Sequence, residues 1–133
     1  MSRFIRSRNI KRQSLQHLTD FFHLICVRFC QLSGPGFSFH NMRAFDWQNP
    51  QSSDPLNDSF QDWLISVCTA SSGKQDRDEQ LSNSESAPNS RYCHPREEHL
   101  LPLHVCAGLA EDNAEKVFDD SILGKRSVGF LWS

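Results

Sequence analysis

Apolar residues along this chain gather into a few blocks separated by polar runs, and the spacing within each block differs. Leu15, Leu18, Phe22, Ile25 and Phe29 recur at intervals of three and four, which predicts an amphipathic helix over about residues 14–29. Phe21 and Leu24 widen its apolar face, while the short run 24–29 taken alone reads equally well as a strand. Gly34-Pro35-Gly36 ends that block, and Phe37-Ser38-Phe39-His40 follows as a brief alternating segment. Asn41 is placed to cap the next turn. Residues 46–58 read as a loop from their Asn-Pro, Asp-Pro and Ser-Ser content. Phe60, Trp63, Leu64 and Val67 then share one helical face, predicting a helix that ends near Thr69.

From 71 to 90 the only large apolar residue is Leu81, so by composition alone this stretch reads as a linker. An apolar helix is expected from His99 or Leu100 to about Ala110, with Pro102 in its first turn, where a missing N–H costs nothing. After a turn at 111–113, residues 116–119 and 127–132 read as two short strands joined through Ile122-Leu123-Gly124-Lys125.

Composition narrows the class. The 133 residues are 38% hydrophobic with a formal charge of −2, and no basic patch interleaved with aromatics appears, so neither nucleic acid nor an anionic membrane is an expected partner. The N-terminal apolar run 21–30 is broken by His23 and Arg28 and falls short of the ~20 residues of a membrane span, which predicts a soluble protein. Cys26, Cys30, Cys68, Cys93 and Cys106 are odd in number and form no CxxC pair, so free thiols in a reducing, cytoplasmic compartment are expected. Arg3, Arg6, Arg8, Lys11 and Arg12 precede any acid, which suits a flexible basic leader, with a mitochondrial transit peptide as the alternative.

Candidate chemistry concentrates at residues 94–103, HPREEHLLPL, which hold two histidines and two carboxylates between stiffening prolines. Placing His99 at a helix start puts it at the positive end of the helix dipole, and neutral imidazole is the form that binds a metal or accepts a proton. His104, five residues on, faces elsewhere and reads as packing or support. Cys93, His94, His99 and Cys106 lack the spacing of a structural zinc finger. His17 and His23, six positions apart, fall about 600° around a helix and so on different faces.

HPREEHLLPLHV, together with FDDSILGKRSVGFLW at 118–132 and GFSFHNMRAF at 36–45, resembles the C-terminal part of the class III extradiol ring-cleavage dioxygenases of the DOPA 4,5-dioxygenase type. The likeness runs from about residue 34 to 133, leaving 1–33 as a leader outside it. It implies an α/β fold: an incomplete C-terminal portion of an extradiol dioxygenase catalytic domain, preceded by a non-matching N-terminal helix. Within 71–90 it implies a helix where composition suggests a linker. It further implies Fe(II) or Zn(II) as cofactor and a DOPA-like catechol plus dioxygen as substrates.

Extradiol cleavage normally uses two histidines and a carboxylate that leave one face of the metal open. The resemblance makes His40 an acid/base group or a ligand and His99 a metal ligand, with Glu98 and His94 as alternatives and Glu97 and Glu98 orienting the His99 ring. His40 and His99 are expected to face one cleft. The family's other two metal-binding histidines belong to a half that this sequence does not match. The chain is therefore expected to be impaired alone, or to serve as a non-catalytic module that pairs with a full-length homologue.

Overall fold

The computed structural model describes residues 38–132, so the expected helix at 14–29 and the boundary at residue 34 lie outside the described residues. Helix α1, Pro55–Ala70, is the centre of the fold. It begins five residues before Phe60, inside the stretch expected to be a loop, because Asp54-Pro55 is a cap and first-turn pair. The Asp54 carboxylate accepts from Leu56 N at 3.1 Å and Asn57 N at 3.4 Å. Asn57, Phe60, Gln61, Leu64, Val67 and Cys68 are buried on one face, the three-and-four spacing of a helix that packs along one side.

Helix α2, Lys74–Ser82, occupies the stretch whose composition suggested a linker. Its only buried residues are Leu81 and Arg77. The guanidinium of Arg77, fully shielded from solvent, donates to Ala107 O and Ala110 O at 2.7 Å each and also to Asp112 O. A polar helix thus docks through hydrogen bonds where a hydrophobic stripe would ordinarily hold it, and hydropathy patterning cannot register such an anchor.

The short α3, Ser90–Cys93, leads through a 3₁₀ turn at Glu97–His99 into α4, Leu101–Leu109. This last helix begins two residues after His99, with Leu100 at its N-cap. An antiparallel hairpin closes the chain, β1 (Glu115–Ile122) with β2 (Lys125–Leu131). Pairing runs from Glu115↔Leu131 to Ile122↔Lys125, and a register shift between Lys116 and Phe118 leaves Val117 as an extra residue, a bulge. Leu123 (φ 50°) and Gly124 (φ 75°) form the tight turn, where two-residue hairpins need positive φ. Asp46 N bonds to Leu123 O at 3.0 Å and Gly124 N bonds to Pro50 O at 2.9 Å, which holds that turn against the 46–52 loop.

β2 buries Val128 and Phe130, with Trp132 beyond it, in the core around Phe60, Leu64 and Val67, whereas every residue of β1 is exposed. The described residues thus form a mixed helix and strand α/β unit with a small two-stranded sheet. The apolar surface expected along the C-terminal strands is accordingly split, with Val117 and Phe118 outside and Phe130 and Trp132 inside. Among the described residues no helix is long and apolar enough to cross a membrane.

Candidate functional site

His40 reaches the site on an extended segment stitched down at each residue. Ser38 Oγ accepts from Val128 N at 2.7 Å, lies 3.1 Å from Ser127 Oγ and donates to Gln61, whose own amide is fixed by Asn57 Oδ1 at 2.8 Å. Phe39 is buried, edge-on to Phe45 with centroids 5.5 Å apart and 6.1 Å from the Tyr92 ring. The His40 N–H donates to Cys93 O at 2.9 Å, and the Asn41 side chain, expected as a helix cap, instead donates to Tyr92 O at 2.8 Å. Main chain therefore joins His40 to α3, just ahead of the HPREEH stretch.

From there Pro95 and Arg96 carry the chain into the Glu97–His99 turn, which is pinned by Leu100 N bonding to Glu97 O at 2.9 Å and by the buried Leu100 side chain. The outcome is direct contact: the His40 and His99 rings lie 3.6 Å apart between centroids and 38° from parallel. His99 turns Nε2 toward Glu98 Oε1 at 3.9 Å, while its Nδ1 is buried with no hydrogen-bond partner among the described residues. A buried imidazole nitrogen without a partner is a donor atom in waiting.

The other predicted groups are distributed around this pair. His94 is buried, packs 5.3 Å from the Phe60 ring and lines a cleft of about 150 Å³ with Ser84, Arg91, Glu97 and His104, which neither His40 nor His99 lines. Glu97, expected to orient His99, is taken by Arg91, and Glu98 also meets Arg96 at 3.4 Å. His104 serves packing: Nδ1 lies 2.9 Å from Leu100 O and Nε2 lies 2.8 Å from Leu81 O, tying α4 to the end of α2.

Pattern reading of the sequence misses one cluster altogether. The Lys125 ammonium meets the Asp54 carboxylate, both nearly inaccessible to solvent, and Tyr92 Oη donates to Asp54 Oδ2 at 2.6 Å. Burial opposes ionisation of Asp54, but the bonds from Lys125 and Tyr92 outweigh it and hold the carboxyl below its usual range. Burial likewise pushes the Tyr92 hydroxyl up, reinforced by Asp54. For Lys125, burial works against the charge and is overcome by Asp54 and Tyr92, so its value is raised. Nothing in the local sequence links positions 54, 92 and 125.

A divalent ion suits the type of donor at the His40–His99 pair but not their number. Metal–nitrogen bonds of about 2.0–2.1 Å at tetrahedral angles set two ligating imidazole centroids about 5 Å apart, so the rings would part by roughly 1.4 Å to share an ion. Among the described residues no group of three or more His, Cys, Asp or Glu side chains is arranged to hold one.

No family model matches the chain. Over 82 residues it is 30% identical to a "4,5-DOPA dioxygenase extradiol-like protein" of Schizosaccharomyces pombe, an alignment that takes in 60% of this chain and 28% of that protein. The chain is thus similar to part of an extradiol dioxygenase-like protein. An uncharacterized protein from Escherichia coli K12 has a crystal structure that superposes with a TM-score of 0.59 at 18% identity, covering 84% of this chain and 49% of the other. That likeness is one of fold, and this chain corresponds to about half of the larger molecule's length.

Proposed function

We propose that the chain carries part of an extradiol ring-cleavage site for a DOPA-like catechol, with Fe(II) or Zn(II) as the ion, and that it is impaired as an isolated chain. The observation supporting this reading is the ring contact between His40 and His99, residues far apart in sequence that both lie in motifs resembling the dioxygenase family. His99 would hold the ion, with Glu98 beside it as a further donor. His40, anchored through its main chain and leaving its ring free to tilt, would take the proton of a catechol hydroxyl and return it during cleavage. When bound, the ion supplies a Lewis-acidic centre at which catechol and dioxygen meet. His94 is a further acid/base candidate, from its separate cleft.

The experiment is oxygen uptake with DOPA after Fe(II) reconstitution. Slow, iron-dependent uptake that disappears in His99→Ala is the expected result. Uptake that is equal in His99→Ala, or a chain that retains no iron at all, would overturn the reading, and rapid turnover by the pure chain would refute the impairment.

A second reading, a non-catalytic module that pairs with a full-length homologue, is favoured by the ligand count, since two imidazoles are one short of the usual protein complement. Under it, the chain would co-purify with a larger homologue and consume no oxygen.

A further inference from the structure

We infer that the His40–His99 pair is half of a metal site, completed by the same pair from a second copy of this chain. This rests on the pair being metal-binding, as in the reading above, and adds who supplies the missing ligands. Zinc in closed sites takes four ligands, and the described residues bring two nitrogen donors together. Two copies related by a two-fold axis through the ion contribute four imidazoles, the number a tetrahedral centre requires. A two-fold interface uses one patch twice, so that patch must be accessible and self-complementary.

This patch meets both conditions. The His99 side chain is 32% exposed. On one side stands Met42, 60% exposed on the turn that follows His40, and on the other Leu101, 54% exposed at the start of α4. Val105, 49% exposed, lies one turn further along that helix. These apolar side chains have no cover of their own, and a shared ion would bring a second such rim against them, burying apolar area from both sides. The surrounding charges are of both signs: Arg43 and Arg96 against Glu97 and Glu98, so a two-fold operation sets cations opposite anions. The open ring contact also fits, since the two rings must part to ligate and their exposed side gives them room.

The test is mass in solution, by sedimentation or light scattering, with Zn²⁺ added to the full chain and the metal per chain measured after gel filtration. The expected result is a monomer without metal, a doubled mass at one Zn²⁺ per two chains, and return to monomer with a chelator. His40→Ala and His99→Ala should each abolish the doubling. Met42→Glu, which leaves the ligands untouched and places like charges face to face, should weaken dimerisation at least tenfold. One Zn²⁺ per chain with no change of mass would overturn the shared site while leaving the metal-binding reading intact. No retained Zn²⁺ would overturn both, and a dimer indifferent to chelator would show an interface not built on the ion.

Discussion

The two ends of helix α4 differ in how completely their polar groups are spent. At the C-terminal end, Arg77 caps Ala107 and Ala110 from within the protein and Lys74 Nζ donates to Gly108 O at 2.7 Å and Ala110 O at 2.8 Å. Two cations meet the negative end of the helix dipole and satisfy carbonyls that have no intrahelical partner. At the N-terminal end, the His40 and His99 rings touch each other, and a buried nitrogen of His99 has nothing to bond among the described residues. Hydrogen-bonding capacity consumed internally builds stability. Capacity left over, held in place by main-chain bonds elsewhere, is what a binding site consists of.

The closed end is where the largest loss is expected. Arg77→Ala removes three donors and opens a void around buried carbonyls, and should cost about 4 kcal/mol in a urea or guanidinium titration. A loss below about 1 kcal/mol would mean that water replaces the guanidinium and that the end is not closed as described.

Next in size is the Asp54–Lys125 pair, which is closed in the same sense. Lys125→Ala leaves a buried carboxylate with only Tyr92 and the helix N-terminus for company, and should cost about 3 kcal/mol. The folded Asp54 carboxyl titrates below its unfolded value, so its contribution is present above the unfolded pKa of about 3.9 and is lost as pH falls through the folded one. Asp54→Asn should flatten the stability profile below about pH 4, and an unchanged acid slope would assign that slope to other carboxylates.

How much of this is legible in the sequence depends on what holds each element. α1, the α4 helix and the hairpin follow from periodicity and turn residues, because apolar burial organises them and leaves its spacing in the sequence. Composition reads residues 71–90 as a linker, while Arg77 and the Lys74 ammonium, two polar groups, fasten a helix there. That His40 and His99 would meet follows from motif likeness, yet the means does not: the Cys93 carbonyl that receives His40 is a backbone atom, the same in every residue type. Asp54, Tyr92 and Lys125 converge only through tertiary packing and carry no local signature.

The open end should respond differently to mutation. His40→Ala and His99→Ala are expected to change stability by less than about 1 kcal/mol while weakening divalent metal binding at least tenfold by calorimetric titration. Equal losses of stability and binding would make the pair a packing contact. Smallest of all, Glu98→Gln breaks only solvent-exposed contacts with Arg96 and His99 and should leave stability within about 0.5 kcal/mol.

The extra residue at Val117 affects how the protein meets its own kind. An outer strand offers unpaired amides to any passing chain and would template stacking into fibrils if it ran straight. Here the bulge bends that margin, and Lys116, Asp119 and Asp120 stud it with charge. Deleting Val117 would straighten the margin and reverse which way the residues ahead of it point, turning a quiet border into an adhesive one.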